Sequence, residues 1–154
     1  SYETKQSVKN VLGHLAYVLE GTKRLFNIPS YHIKITHDGE TIEDDFVFGM
    51  VTNTRSVGGF KGLVNQSVSL NDGVFEVLLI RMPKTPLDLS NIISYMFLVE
   101  EPNEYVYKFK ASAIHFTSEE SVDWVLDGEY GGARTEVTIE NLRERIPFLL
   151  PYKM

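Results

Sequence analysis

The stretch Tyr31-His-Ile-Lys-Ile-Thr36, the turn His37-Asp-Gly-Glu40 and the extended run from Thr41 to Asn53 together decide the fold class. The first segment alternates apolar and polar side chains, which is the period of a strand with one buried face. An Asp-Gly dipeptide between two such runs is a strong signal for a tight hairpin turn. The sequence therefore predicts a β-hairpin over residues 31–53.

More strands are predicted further along the chain. Val74-Phe-Glu-Val-Leu-Leu-Ile-Arg81 is a nearly continuous apolar run, so this strand is expected to be central and covered on both faces. Four shorter segments alternate apolar and polar residues: 105–110, 113–117, 122–126 and 136–140. Many short strands at this spacing favour an antiparallel β-sandwich or a barrel over a parallel α/β sheet.

Two segments have helical periodicity instead. Between residues 7 and 26 the apolar side chains recur every three or four positions, which predicts an amphipathic N-terminal helix that ends before Pro29. A second helix is predicted at about 86–100, with Thr85 or Asp88 at its N-terminus. With no repeat or linker in the sequence, we expect residues 1–154 to form one mainly β domain, an antiparallel β-sandwich with these two helices.

The composition narrows the function classes. A formal net charge of −6 argues against a nucleic-acid partner and against simple electrostatic adhesion to anionic lipid. The absence of cysteine excludes disulfides and thiolate metal sites and fits a cytoplasmic location. The longest nearly uncharged run, residues 87–99, is too short to span a bilayer. Residues 1–6 do not begin a secretory signal.

Three motifs occur in a fixed order along the chain. They are Thr52-Asn-Thr-Arg-Ser-Val-Gly-Gly-Phe60, Leu70-Asn-Asp-Gly-Val-Phe-Glu-Val77 and Val125-Leu-Asp-Gly-Glu129. Each is weak alone, but together they resemble the C-terminal domain of the diacylglycerol kinase catalytic family, which also includes bacterial lipid kinases and sphingosine kinases. The resemblance covers nearly the whole chain.

The resemblance implies a two-domain enzyme that moves the γ-phosphoryl group of Mg-ATP to a lipid hydroxyl such as that of diacylglycerol. The Gly-Gly-Asp-Gly-Thr phosphate loop that the family carries in its N-terminal domain is absent from this sequence. We therefore expect the chain to be inert alone, to need an N-terminal ATP-binding domain as its partner, and to act peripherally at the membrane surface. Whether it forms a homodimer stays open, as does the identity of the lipid.

The catalytic candidate is Glu129, to which the resemblance assigns the role of the base that accepts the proton of the lipid hydroxyl. Asp127 and Gly128 would support it by turning the backbone sharply enough to project the carboxylate. On the residues alone, the ordinary interpretation is a type I′ hairpin turn followed by a solvated strand residue.

The metal candidate is Asp72, where the resemblance implies a structural Mg²⁺ held by this carboxylate and by the backbone carbonyls of Ser69 and Val74. The equally weighted alternative is a turn without an ion, similar to the turn at Asp38-Gly39. The substrate-cleft candidates are Asn53, Gly58 and Gly59, for which a strand end and a loop are ordinary interpretations.

The remaining polar residues are interpreted as structural. The four histidines have no metal-ligand spacing, the acidic runs 43–45 and 119–120 are expected to be solvated, and Trp124 is expected to be buried. The leading hypothesis is thus half of a lipid kinase. The alternative is a non-catalytic β-sandwich module that binds a lipid or a protein, and an NAD kinase-like architecture is less favoured by the motifs.

Overall fold

A computed structural model describes residues 28–54, 71–98 and 103–145. These residues form the elements β1 (Tyr31–His37), β2 (Glu40–Thr52), β3 (Phe75–Arg81), α1 (Pro86–Leu98), β4 (Val106–Ala111), β5 (Ala113–Leu126) and β6 (Glu129–Glu140). The strands hydrogen-bond in the order β4-β3-β2-β1-β5-β6, and every neighbouring pair is antiparallel. The helix predicted over residues 7–26 lies outside the described residues.

The predicted first hairpin is confirmed. β1 and β2 pair in continuous register from Tyr31 opposite Phe46 to His37 opposite Glu40. Asp38 and Gly39 both have positive φ, 46° and 82°, as a type I′ turn requires. The chemistry of the turn and the alternation of the strands thus agree on one register.

The sheet folds over on itself at β2. β2 pairs with β1 as far as Phe46 and with β3 from Phe46 onward, with a register shift between Phe46 and Phe48. In a flat sheet the end of β4 and the start of β5 would be roughly 40 Å apart along the strand direction. Yet only Ser112 separates these two strands, so Ala111 and Ala113 are at most about 7 Å apart.

The fold-over produces two facing layers, which confirms the predicted antiparallel sandwich. The layer that contains β1 and β5 contributes Ile35, Ile114 and Phe116 to the core. The layer that contains β3 and β4 contributes Val77, Leu79 and Ala111. All six are at most 6% exposed. Across the layers, the rings of His37 and Phe109 stack with centroids 3.8 Å apart.

Strand β3 is buried on both faces, as its apolar run predicted. Five consecutive residues from Glu76 to Ile80 are buried. Leu78 and Ile80 point away from the inter-layer core, and the buried Ile92 of α1 belongs to the same outer side. Lys108, which pairs with Leu78, places its ammonium 4.6 Å from the centroid of the Tyr95 ring. The helix therefore covers the outer face of this layer.

The N-terminus of α1 is capped reciprocally. Asp88 Oδ2 accepts hydrogen bonds from the backbone N–H groups of Thr85 and Lys84, at 2.7 Å and 3.0 Å, while the Asp88 N–H donates to Thr85 Oγ1 at 3.2 Å. The sequence offered Thr85 or Asp88 for this end, and the structure uses both. Pro86 takes the first helical position, where its missing N–H costs nothing.

The last two strands are longer than the sequence indicated. The segments 113–117 and 122–126, predicted as separate strands, belong to one strand, β5. The strand predicted at 136–140 is longer, because β6 begins at Glu129. Phe116 and Trp124 contact each other edge to face with centroids 5.2 Å apart, whereas eight extended residues would span about 26 Å. The register against β6 shifts between Thr117 and Val122, so β5 bulges and bends there. Trp124, which the sequence predicted to be buried, is half-buried and packs against the core.

Candidate catalytic hairpin and charged cluster

Glu129 stands at the end of the β5–β6 hairpin. Asp127 and Gly128 have φ values of 50° and 91°, so they form a type I′ turn. The turn places Glu129 directly opposite Leu126. Residues 126–129 are all exposed, so a reactant can reach the carboxylate of Glu129 from the solvent.

Large apolar side chains are exposed on both faces of the hairpin end: Leu126 shares a face with its partner Glu129, whereas Val125 and its partner Tyr130 lie on the opposite face. Val125 is 67% exposed, Leu126 61% and Tyr130 69%. The Tyr130 hydroxyl donates a hydrogen bond to Asp123 Oδ1 at 3.1 Å, and this bond, with a smaller contribution from desolvation, raises the pKa of Tyr130. The sequence interpretation missed this set, although Val125-Leu126 immediately before an Asp-Gly turn was a visible signal. We call Val125, Leu126 and Tyr130 the apolar tip.

A bulge next to the turn shapes the apolar tip. The register shifts between Trp124, which pairs with Gly132, and Val125, which pairs with Tyr130. A methyl group on Gly131 would lie 2.9 Å from Cγ of Leu126. The missing side chain at Gly131 thus allows Leu126 to lie across the backbone of β6.

Asp72 lies just before β3, in a turn that differs from the other two Asp-Gly turns. Gly73 has a φ of 82°, but Asp72 is not among the residues with positive φ. Asp72 Oδ1 accepts a hydrogen bond from the Val74 N–H at 3.3 Å. Its Oδ2 lies 3.8 Å from the Lys110 ammonium. The expected similarity to the Asp38-Gly39 turn was wrong, because only the glycine is left-handed here.

Glu76 extends this charged cluster and was not predicted from the sequence. The residue is 7% exposed, and its Oε1 lies 3.2 Å from the same Lys110 ammonium. The contact has the distance of an ion pair without the geometry of a hydrogen bond, and within the described residues both carboxylate oxygens lack a hydrogen-bond partner. Lys110 therefore carries the positive charge that faces two carboxylates.

The metal ion predicted at Asp72 stays a prediction, because its predicted ligands are one carboxylate and two backbone carbonyls, of which that of Ser69 is not described. Across residues 28–54, 71–98 and 103–145 there is no cluster of three or more His, Cys, Asp or Glu side chains that could hold one. One oxygen of Asp72 is engaged by the Val74 N–H, and the other faces an ammonium. Ser69, whose carbonyl was a predicted ligand, lies outside the described residues.

Of the predicted cleft residues, only Asn53 is described. It is exposed and follows Thr52, which pairs with Glu76, so it lies on the same strand pair as the charged cluster. Gly58 and Gly59 lie outside the described residues. The structure thus brings Asp72, Glu76 and Lys110 together, while Glu129 lies on the separate β5–β6 hairpin.

The acidic run 43–45 is exposed in part but not purely solvated. His32 Nδ1 lies 2.9 Å from Asp45 Oδ1, and His32 Nε2 lies 3.3 Å from Glu43 Oε1. The hydrogen bond with Asp45, and after it the one with Glu43, raises the pKa of His32. Asp44 pairs with Arg81 at 2.6 Å.

The chain is similar in sequence to curated proteins that are named diacylglycerol kinase. The chain is 31% identical over 133 residues to a diacylglycerol kinase of Bacillus subtilis (strain 168), which covers 86% of this chain and 43% of the relative. It is 27% identical over 153 residues to a diacylglycerol kinase of Staphylococcus carnosus (strain TM300), covering 98% of this chain and 49% of the relative. The chain therefore spans somewhat less than half the length of these relatives. No family model matches the chain.

The fold has a counterpart among solved structures. A crystal structure from Bacillus anthracis str. Sterne that is assigned to the diacylglycerol kinases superposes with a TM-score of 0.60 at 22% identity, over 82% of this chain and 44% of that one. In the described part of this chain, no helix has the length and apolar character needed to cross a membrane. In sequence and in fold, the chain corresponds to the C-terminal part of the bacterial diacylglycerol kinases, the family that the three motifs predicted.

Proposed function

We propose that this chain is the acceptor-side part of an ATP-dependent lipid kinase that phosphorylates a lipid hydroxyl such as that of diacylglycerol. The observation that carries the proposal is the position of Glu129, an exposed carboxylate that directly follows a type I′ turn and lies opposite the exposed Leu126. The name that the relatives carry supports the acceptor class.

Glu129 acts as the general base in this proposal. Its carboxylate accepts the proton of the lipid hydroxyl while that oxygen forms a bond to the γ-phosphorus of ATP. The bond between this phosphorus and the bridging β,γ-oxygen breaks, and ADP leaves. Asp127 and Gly128 contribute by fixing the turn, and Asn53 and the glycines Gly58 and Gly59 stay proposed cleft residues.

ATP and its Mg²⁺ come from outside this chain in the proposal. The sequence has no phosphate loop, and the chain spans less than half of its relatives' length. We therefore propose that a nucleotide-binding N-terminal domain is the partner, and that the assembled enzyme works peripherally at a membrane from the cytoplasm. The chain alone is expected to give no saturable heat in a calorimetric titration with Mg-ATP. Saturable binding accompanied by ADP formation would contradict the division into two parts.

A structural Mg²⁺ at Asp72 is not included in the proposal, because Lys110 already faces this carboxylate. We expect the unfolding temperature of the chain to be the same in Mg²⁺ and in chelator. A rise in Mg²⁺ that disappears in Asp72→Ala would restore the metal, since a ligand bound to the folded state alone adds stability.

A second candidate function is a non-catalytic β-sandwich module that binds a lipid or a protein. One observation favours it: the turn at Asp127-Gly128 has the same positive φ pair as the turn at Asp38-Gly39, for which no chemistry is claimed. Such a turn is explained by hairpin geometry alone.

The decisive experiment is Glu129→Gln in the full-length enzyme that contains this chain. Loss of a general base costs about 10²–10⁴-fold in rate, and the loss should appear in kcat and kcat/KM together. The matched control is Glu136→Gln, an exposed carboxylate on the same strand that contacts His115 at 3.3 Å. If Glu129→Gln loses no more activity than this control, Glu129 is not the base, and the hypothesis of a non-catalytic binding module is favoured.

A further inference from the structure

We propose that Tyr130 and Asp123 form a positioning pair, which holds the end of the β5–β6 hairpin in the orientation that points Glu129 at the acceptor hydroxyl. The hairpin end consists of residues 125–130, which are the turn and the two strand pairs next to it. This inference rests on the proposed function, because it takes Glu129 as the base. It assigns a role to two side chains that take no part in the proton transfer itself.

The hairpin end is supported less than the rest of β5. In the described sheet, β1 pairs with β5 only as far as Ser118, so the hairpin end is a ribbon of two strands. Beyond Trp124, two residue pairs join these strands before the turn, and Glu129 belongs to the second of them. A ribbon of two strands is marginally stable without further contacts. The direction of the carboxylate therefore depends on side-chain contacts at this end.

A β-bulge separates the hairpin end from the rest of the ribbon. The pairing of β5 with β6 shifts by one residue after Trp124, and Gly131 is the extra residue on β6. A bulge interrupts the ladder of hydrogen bonds, bends the strand and increases its twist. The angle between the two parts of the ribbon is set at this position, and that angle decides where Glu129 points.

The hydrogen bond between Tyr130 and Asp123 spans this bulge. Tyr130 pairs with Val125 on the turn side of the bulge, whereas Asp123 lies on the other side and pairs with Ala133. Asp123 and Val125 are two residues apart on β5, so their side chains and that of Tyr130 project from one face of the ribbon. The Tyr130 hydroxyl donates to Asp123 Oδ1 at 3.1 Å. This bond therefore connects the two parts of the ribbon that the bulge separates.

The carboxylate of Glu129 lies on the opposite face from this pair. Glu129 precedes Tyr130 in the chain and is paired with Leu126, so alternation directs the carboxylate away from the tyrosine ring. The hydrogen bond with Asp123, and after it desolvation, raises the pKa of Tyr130 above its ordinary value of 10.0, so the hydroxyl stays a donor at neutral pH. The pair thus acts through the backbone of the hairpin end and not by contact with the acceptor.

NMR relaxation of the backbone amides in the 154-residue chain tests the pair without ATP or turnover. In the wild-type chain we expect the amides of Gly128 and Glu129 to have the order parameter of a rigid backbone, about 0.85. In Tyr130→Phe they should fall toward about 0.6, the value of flexible segments. The matched control is Tyr105→Phe, because Tyr105 makes the same kind of hydrogen bond with Asp88 at the start of α1. That variant should leave both amides rigid.

Kinetics of the full-length enzyme that contains this chain test the link to catalysis. Tyr130→Phe should lower kcat about two- to tenfold at unchanged KM, which corresponds to the net free energy of one hydrogen bond. In a Glu129→Gln background the same change should not lower kcat further, because the base that the pair positions is gone. Asp123→Asn keeps an acceptor oxygen and should retain most of the activity, whereas Asp123→Ala should match Tyr130→Phe.

The outcomes separate the pair from the base. Full activity of Glu129→Gln would overturn the base and the positioning pair together. Loss of activity in Glu129→Gln, combined with a hairpin end that stays rigid in Tyr130→Phe, would overturn the pair alone. An equal loss of kcat on Tyr130→Phe with and without Glu129 would also overturn it, since the bond would then serve the fold and not the base. An unchanged unfolding midpoint verifies that each variant is folded.

Discussion

Strand β3 and the end of the β5–β6 hairpin place leucine side chains in opposite environments. Leu78 of β3 is 2% exposed, whereas Leu126 at the hairpin end is 61% exposed. β3 has strands on both sides and a helix over its outer face, while the hairpin end of β5 and β6 continues beyond β1, which pairs with β5 only as far as Ser118. The difference teaches that burial in this fold is set by neighbours that lie far away in sequence.

The same two regions also handle charge differently. At β3, Glu76 and Asp72 share the ammonium of Lys110, and Glu76 is almost fully buried. At the hairpin end, Glu129 is exposed beside apolar side chains. A shared counter-ion suits a structural cluster, whereas an accessible carboxylate suits a group that meets an incoming reactant.

Truncating one leucine in each region should give the largest contrast. We expect Leu78→Ala to lower the free energy of unfolding by about 2–5 kcal/mol, because it removes buried carbons and leaves a cavity. Leu126→Ala should change it by no more than about 0.5 kcal/mol, as is usual for exposed sites. Urea denaturation of both variants measures the difference. Equal losses would mean that the hairpin end is packed and not exposed.

Removing the shared counter-ion should give an intermediate effect. Lys110→Met leaves the buried Glu76 without this positive partner. We expect a loss of about 1–2 kcal/mol, since the Lys110 side chain is 35% exposed and its contribution is partly screened. Urea denaturation is again the measurement. Adding Glu76→Gln to this variant should recover part of the loss, because the buried charge is then gone.

The control for the counter-ion is Arg143→Met. Arg143 pairs with Glu144 at 3.7 Å, and both side chains are more than 60% exposed. Exposed pairs contribute about 0–1 kcal/mol. If Lys110→Met costs no more than this control, the charged cluster contributes little to the stability of the fold.

The elements that could be predicted from the sequence are those with local causes. The alternation before Asp38-Gly39 fixed the first hairpin, and the apolar run 74–81 gave a strand covered on both faces. Thr85 and Asp88 marked the start of the helix because their hydrogen bonds stay within four residues. The three motifs gave a resemblance to the diacylglycerol kinases, and the curated relatives carry the same name.

The remaining features depend on distant neighbours. The fold-over arises near Phe46, where β2 stops pairing with β1 and begins to pair with β3. Nothing in the local sequence pattern marks this residue. The segments 113–117 and 122–126 were predicted as separate strands, and the pairing with β6 does shift between them. The Ser118 hydroxyl donates to the carbonyls of Glu120 and Thr135, and β5 continues through this bulge. Glu76 and Lys110 were missed because their pairing appears only once β3 and β4 are side by side.

The smallest expected effect concerns a third charged group, on the exposed surface of the first hairpin. Asp45 and Glu43 raise the pKa of His32 above its ordinary value of 6.5. A group whose pKa is higher in the folded than in the unfolded chain binds more protons when folded. The stability that His32 contributes is therefore fully present below about pH 6.5 and is lost as the pH rises through the folded-state pKa.

In the wild-type chain the free energy of unfolding should therefore differ between about pH 5 and about pH 8, the range in which histidine titrates. In His32→Gln this difference should be smaller. The effect should be small, because the side chains of His32, Glu43 and Asp45 are all more than half exposed and salt screens such pairs. Asp45→Asn should remove more of the pH dependence than Glu43→Gln, since the bond to Asp45 is the largest cause of the raised pKa. NMR titration of the His32 ring measures the pKa directly in each variant. A wild-type pKa at or below 6.5 would mean that Glu43 and Asp45 are solvated, as the sequence analysis expected, and that their contacts with His32 do not stabilise its charged form.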